Sequence, residues 1–417
     1  MKPKQHASTL DHFFRTEYGK VMSILIRKFG TSQVETIEDA LQDTFIKAMK
    51  LWGHQGIPEK PTAWLLKVAH NRTIDLLRKH NNQDSLKEQP LKEDHTINTE
   101  VNLSHEISDS QLRMLFACCD PSLSTEYQLI LSLKLIGGFS NKELATALLK
   151  NEETVAKGFT RAKKKFKADV KLIRVPQEMG LQSRLFVVLR AIYLLFSEGY
   201  ATTIGAQGIK RDICYEAMRL ALLLRENPYC QHANLDALIA LMCFHVSRFS
   251  ARLDTDGELI SLQYHDRSLY DQELIQIGTY HLKEAGKLKH PPSSYHLEAA
   301  VSYHHSTART FDQTNWRIIL QLYDAHLTKS FAPIVALNRI IALHQVKGPQ
   351  LALDALEALA SKSKLDQLSL FYAIKAELFQ QLNKKEVGAT AQRAIDLTKN
   401  VLVQRHLKRK FIDPTNQ

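Results

Sequence analysis

Asn71, Arg72, Asp75 and Arg78, flanked by Lys67 and Lys79, gather hydrogen-bonding and cationic side chains in the segment Pro61–Lys79 (PTAWLLKVAHNRTIDLLRK). Asparagine and arginine carry the paired donors and acceptors that a base edge requires, and lysine reaches phosphate. Lys67, Asn71 and Arg78 fall near one face at the helical repeat. A second set occupies Ser140–Lys167 (SNKELATALLKNEETVAKGFTRAKKKFK). There Thr154, Lys157, Gly158 and Arg161 are expected to face outward near the start of a helix, where base edges are read. Lys163, Lys164, Lys165 and Lys167 follow and suit the flanking phosphates. The competing reading of either set is a charged helix end that is simply solvated. Two such sets on one chain would let it read two separated DNA elements at once.

The elements that must position these residues are helical. In Glu35–Trp52 the positions Ile37, Ala40, Leu41, Thr44, Phe45, Ala48, Met49 and Trp52 follow the i, i+3/i+4 stripe of an amphipathic helix. Glu38, Asp39, Gln42 and Asp43 occupy its other face. His54–Lys60 reads as a loop, and Pro61 suits a first helical turn, where its missing N–H costs nothing. Asn141–Leu148, a turn at Leu149–Asn151, and a longer helix with Val155, Phe159, Ala162 and Phe166 inward make a helix-turn-helix pattern. Between the two basic sets, from His80 to about Ser110, hydrophobes are too sparse for a core and the chain reads as a polar tether, partly helical near its end.

Composition bounds the remaining possibilities. At 417 residues the chain exceeds one compact core. A formal net charge of +11 favours a polyanionic partner without deciding the fold. Five cysteines without metal-type spacing read as small buried hydrophobes in a reducing compartment. The opening residues lack a signal-peptide core and no stretch is long and apolar enough to span a membrane, so a cytoplasmic location is expected. The histidines, including the His304–His305 pair, lack zinc spacing, so neither metal nor cofactor is expected. No phosphate-cradling glycine loop, nucleophile elbow or carboxylate pair appears, and the chain is not expected to be an enzyme.

From Leu181 to Phe411 helical patterns succeed one another, with breaks at Tyr200–Gly208, Asn227–Pro228, His290–Ser293, Lys347–Pro349 and Ser361–Lys364. Ile334–Leu359 and Leu370–Leu397 read as two helical hairpins near the tetratricopeptide period of about 34 residues. Glu198 and Tyr200, and Asp266 and Arg267, are polar islands beside apolar helices. They mark either a ligand or partner pocket or a helix cap with a buried ion pair.

The strings IEDALQDTFIKAMKLW, GIPEKPTAWLLKVAHNRTIDLLRK, LIGGFSNKELATALL and ETVAKGFTRAKKKF carry a resemblance to the extracytoplasmic-function group of sigma-70-family RNA polymerase sigma factors. Glu35–Lys79 resembles their region 2 and Ser124–Lys167 their region 4. RAIYLLFSEGYATT, HDRSLYD and PIVALNRIIAL resemble the helical extension of a subgroup with a large tetratricopeptide-like C-terminal domain. The resemblance implies an all-α fold divided into residues 1–80 (polymerase and −10 element binding), a linker at 81–110, residues 111–175 (−35 element binding) and a regulatory extension at 180–413. It implies that Glu38, Asp39, Gln42 and Asp43 dock on the β′ clamp helices of core RNA polymerase, with the β flap as a further contact. Residues Gly56–Lys60, Asn71, Arg72, Asp75 and Arg78 then melt and read the −10 element of promoter DNA, and Thr154–Lys164 read the −35 element. The family often has arginine where Ala156 and Gly158 stand here, which leaves the −35 sequence open.

The expected function is transcription initiation with core polymerase, modulated by a ligand or regulatory protein on the extension. Free DNA binding is expected to be weak, because a loose tether leaves the two modules unpositioned until polymerase sets their spacing. The alternative is a helix-turn-helix regulator with a helical sensor domain, acting without polymerase.

Overall fold

A computed structural model describes residues 3–83, 100–148, 150–171, 173–176, 179–200, 210–287, 291–360 and 364–413. The breaks expected at 200–208 and 361–364, most of the 81–110 tether and Leu149 of the turn therefore fall largely outside the described residues. Among the described residues the regular secondary structure is helical, with isolated bridges such as the antiparallel one between Leu253 and Leu259. The chain forms two compact units, Met1–Leu195 with Tyr215–Cys230, and Phe196–Cys214 with Gln231–Gln417.

The first unit starts with α1 (Pro3–Phe29), α2 (Val34–Gln55) and α3 (Pro61–Gln83). Val21, Met22, Leu25, Ile26, Ile37, Leu41, Leu65 and Ala69 are fully buried where these helices meet. An aromatic cluster joins them at one end: Trp52 stacks on Phe14 at 5.6 Å and lies 5.4 Å from Trp64. Gly56, at φ +82°, ends α2 in a conformation that glycine adopts without strain, and the loop to Pro61 follows. Next come α4 (Glu100–Cys118), α5 (Thr125–Leu131) continued by a π turn at Ser132–Ile136, α6 (Asn141–Ala147), α7 (Glu152–Asp169), α8 (Met179–Tyr200) and α9 (Arg211–Glu226). Since α3 runs to Gln83 and α4 begins at Glu100, helices enter both ends of the stretch read as a tether.

Ser140 caps α6 through a capping box with Glu143, and the Asn151 side chain accepts from Thr154 N at 2.7 Å to cap α7. Val155, Phe159, Ala162 and Phe166 form the buried stripe of α7 as the spacing predicts.

The two basic segments do not hang apart on a free leash. In the first unit, α1 runs directly over the π turn that precedes α6. A Cβ placed on Gly19 would lie 2.0 Å from the Ile136 carbonyl oxygen, so only glycine permits this approach. Arg15 on α1 donates to Glu143 at 2.6 Å, and Thr31 Oγ1 donates to the Val170 carbonyl at 2.6 Å. The expectation of two unpositioned modules is thus corrected: close backbone packing between distant segments leaves no signature in hydrophobic periodicity.

The second unit is built around α10 (Ala233–Val246), which is apolar nearly all round and correspondingly buried. Against it pack α11 (Gln272–Lys287), where Gly278 lies against the Phe244 ring, and α12 (Ser294–Thr307). Then follow α13 (Trp316–Lys329), α14 (Pro333–Lys347), α15 (Pro349–Ala360), α16 (Ser369–Gln381), α17 (Val387–Leu397) and α18 (Val401–Phe411). The α14/α15 and α16/α17 pairs are antiparallel-type hairpins whose Leu337, Ile340, Leu353, Leu356, Phe371, Ile374 and Leu378 share one core. The five cysteines are buried and free. Among the described residues no His, Cys, Asp and Glu group could hold a metal. No described helix is long and apolar enough to cross a membrane.

Candidate nucleic-acid and polymerase interface

Lys67, Asn71, Arg72, Asp75, Arg78 and Lys79 are all exposed on α3, whose Leu65, Leu66, Ala69 and Thr73 turn inward. The adjoining loop is exposed too, and its Ile57 presents an apolar side chain that is 54% accessible. Arg72 is engaged: its Nε and Nη2 reach Asp43 Oδ2 at 2.8 and 2.7 Å. A residue expected to read DNA is thereby tied to one expected to dock on polymerase. Asn71 Oδ1 lies 3.5 Å from His70 Nδ1. Burial, then the nearby Lys28, lowers the His70 pKa.

Asp39, Gln42 and Asp43 are exposed on α2, and Glu38 is half-buried. Two residues extend this face that the sequence reading did not assign to it. Ile46 is 52% exposed, and Met49, placed on the buried stripe by its spacing, is 56% exposed. Their signal was legible: Asp39, Gln42, Asp43, Ile46 and Met49 follow the same helical spacing one step round from Ile37, Leu41, Thr44 and Ala48.

On α7, Thr154, Lys157, Arg161 and Lys164 are exposed. Lys157 pairs with Glu153 one turn back at 2.6 Å, an exposed i, i+4 pair that DNA could displace at little cost. Arg161 and Lys164 make no ion pair among the described residues. Gly158 corrects the reading that set it outward: it is buried, and a Cβ there would sit 3.0 Å from Ile130 Cδ1 on α5. Its role is to let α7 lie close on α5, not to meet a base.

Lys163, expected among the phosphate contacts, is turned to a carboxylate instead. Its ammonium reaches Glu38 Oε2 at 2.5 Å, and it lies 4.6 Å from the centroid of the Phe159 ring. Lys167 approaches Glu35 at 3.4 Å. Two cations of α7 thus grip two carboxylates of α2. Burial is the largest influence on Glu38 and raises its pKa, although Lys163 and then Lys134 pull it down. Burial and the Glu38 carboxylate push the neighbouring Tyr18 phenol well above its ordinary value. Desolvation therefore outweighs the pairing at Glu38, the signature of a clasp with little net stability to spare.

In the second unit, Glu198, Tyr200, Asp266 and Arg267 meet different partners. Glu198 is buried with Lys210 3.8 Å away. Asp266 is exposed and caps the turn that follows by accepting from Ser268 N and Oγ. The Tyr200 hydroxyl accepts from Arg248 at 3.3 Å, and its ring lies 4.0 Å from the Arg252 guanidinium. Arg267 turns inward to the carbonyls of His305 and Ala308 at 2.7 and 2.8 Å.

Comparison with known proteins assigns this architecture. Residues 13–83 match the sigma-70 region 2 family, and residues 184–286 match a family of unknown function, DUF6596. An uncharacterized protein of Rhizobium meliloti (strain 1021) is 32% identical over 388 residues, covering 91% of this chain and 90% of that protein. RNA polymerase sigma factor YlaC of Bacillus subtilis (strain 168) is 26% identical over 151 residues, covering 34% of this chain and 82% of that protein. No solved structure matches. A region 2 on three packed helices, followed by a basic helical segment and then a long helical extension, is an arrangement for binding core RNA polymerase and promoter DNA. The chain carries a sigma-70 region 2 at its N-terminus, is similar to an RNA polymerase sigma factor over about a third of its length, and continues into a large helical C-terminal extension that fits the subgroup it resembles.

Proposed function

We propose that this chain directs core RNA polymerase to promoters with −10 and −35 elements, and that its unbound form is held closed by the contact between α2 and α7. Residues 1–80 dock on the β′ clamp helices through Glu38, Asp39, Gln42 and Asp43, extended by Ile46 and Met49. The loop at 56–60 with Lys67, Asn71, Asp75, Arg78 and Lys79 of α3 melts and reads the −10 element, joined by Arg72 once Asp43 releases it. Residues 111–175 read the −35 element with α6 and α7 as a helix-turn-helix, through Thr154, Lys157, Arg161 and Lys164, and meet the β flap. The extension at 180–413, with its tetratricopeptide-like hairpins, modulates this activity in the cytoplasm.

The observation that carries the reading is the Lys163–Glu38 pair. It supports the reading because Lys163, on the helix we assign to the −35 element, holds Glu38, which we assign to the clamp helices, so the two would compete for that carboxylate. Free DNA binding is then weak because α7 is held on the docking face of α2, not because the two segments wander. Docking releases α7 and fixes its separation from α3, which converts two weak contacts into one bivalent grip.

Co-elution of the full chain with core polymerase tests this, with Asp39→Lys as the comparison. The wild type is expected to co-elute and Asp39→Lys to lose most of the association. A chain that binds DNA as tightly without polymerase as with it would favour a free-standing helix-turn-helix regulator instead.

A further inference from the structure

Among the side-chain nitrogens of the second unit that are buried with no protein partner are Arg267 Nη2, His305 Nδ1 and Trp316 Nε1. They belong to one neighbourhood. Arg267 Nη1 is anchored on the His305 and Ala308 carbonyls, and the His305 and Trp316 rings stand edge to face 5.2 Å apart. Phe311, 5.1 Å from Trp316, braces the indole from another side. Arginine and indole N–H groups can only donate, and a neutral imidazole donates from one nitrogen. The unmet requirement is therefore for acceptors.

The local charge points the same way. Arg248 is only 6% exposed and donates to the Phe244 carbonyl, Tyr200 Oη and His245 Nδ1, none of them anionic. Arg252 is held by the Tyr200 carbonyl and ring. Arg248, Arg252 and Arg267 form no ion pair among the described residues. Among the nearby carboxylates, Asp266 caps Ser268, Asp271 accepts from Leu274 N, and Glu298 faces His326 at 3.5 Å. Burial, reinforced by Arg248 and Arg267, holds the His305 pKa down at about 3, so the ring stays neutral. A buried cation such as Arg248 without a counter-charge is costly, and a bound water would meet the donors but not the charge.

We propose that Arg267, His305 and Trp316, backed by the buried Arg248, form a binding site for the phosphate or carboxylate group of a small ligand. Arg267 Nη2 and Trp316 Nε1 donate to the anion's oxygens, and His305 adopts the tautomer with Nδ1 protonated as a third donor. Binding at this site does not depend on the promoter reading, and its test reads occupancy alone.

The chain has three tryptophans, so a nitrogen-15 spectrum of the full-length protein contains three indole signals, and Trp316→Phe identifies one of them. Inorganic phosphate, acetate and potassium chloride are titrated at matched ionic strength. A saturable shift of the Trp316 indole with phosphate alone assigns a phosphate group, and one with acetate assigns a carboxylate. Arg267→Met is expected to raise the half-saturating concentration about tenfold or more, since a charge-assisted hydrogen bond is lost. Phosphate or acetate should also raise the thermal midpoint of the wild type, and do so much less in Trp316→Phe, whose smaller ring keeps the packing. A Trp316 signal unmoved by both anions, moved equally by chloride, or moved as readily in Arg267→Met overturns the proposal.

Discussion

Replacing Lys163 by methionine should open the clasp between α7 and α2. Methionine keeps the apolar stem over Phe159 and removes only the ammonium. The Lys163 and Glu38 side chains are 17% and 12% exposed, between a surface pair and a sealed one. Exposed pairs contribute about 0.2–1 kcal/mol and breaking a fully buried pair costs about 3–5 kcal/mol. A loss of about 2 kcal/mol follows, which moves the closed-to-open ratio about 30-fold. The assay is energy transfer between dyes on Lys50→Cys of α2 and Ala168→Cys of α7, both exposed positions, followed through a urea titration. The native thiols will not compete for dye: burial raises Cys119 and Cys243 to about 12 and Cys230 to about 11, and pushes Cys118 and Cys214 up as well. Lys163→Met should lower the urea midpoint of the transfer signal. Adding Glu38→Gln should recover part of the loss, because the single variant strands a half-buried carboxylate that the double variant lacks. A coupling energy below about 0.5 kcal/mol between the two substitutions would refute a clasp at this pair.

Three further outcomes follow from the same contacts. Gly19→Ala should weaken the first unit by about 1–3 kcal/mol, because α1 must retreat from the Ile136 carbonyl, while Gly53→Ala, with nothing within 4 Å, should be neutral; equal melting points would contradict the close approach. The second unit should lose stability as pH falls from about 6.5 towards 4. Burial and Arg248 hold folded His265 at about 4 and His305 at about 3, so the unfolded chain takes protons that the folded one refuses, and a flat thermal midpoint over that range would refute it. In the polymerase-bound state, Lys164→Ala should reduce the slope of log promoter affinity against log salt by about 0.9, and an unchanged slope would remove Lys164 from the phosphate contacts.

The helical fold was legible because its buried stripes are regular. Ile37, Ala40, Leu41, Thr44 and Ala48 on α2, and Val155, Phe159, Ala162 and Phe166 on α7, are buried as their spacing predicts. The errors lie where a side chain carries little hydrophobic signal or the wrong one. Gly158 lies three residues from Val155 and four from Ala162, squarely on the buried stripe, but glycine has no side chain to register there. Met49 keeps the spacing of Asp39, Gln42, Asp43 and Ile46, but its apolar side chain outweighed that register and drew it onto the buried stripe. The Glu38–Lys163 pair was out of reach because 125 positions separate its members and no local pattern links them. The convergence of Arg248, Arg267, His305 and Trp316 was hidden for the same reason: four separate segments meet only in the folded second unit.

Run-off transcription with purified core RNA polymerase, on DNA fragments drawn from the source genome, addresses the central claim most directly. Core polymerase with the full chain is expected to initiate at defined sites that core alone ignores, and Asp39→Lys should abolish those transcripts while leaving the chain folded. Transcripts whose start sites and amounts are the same with and without the chain would contradict the account.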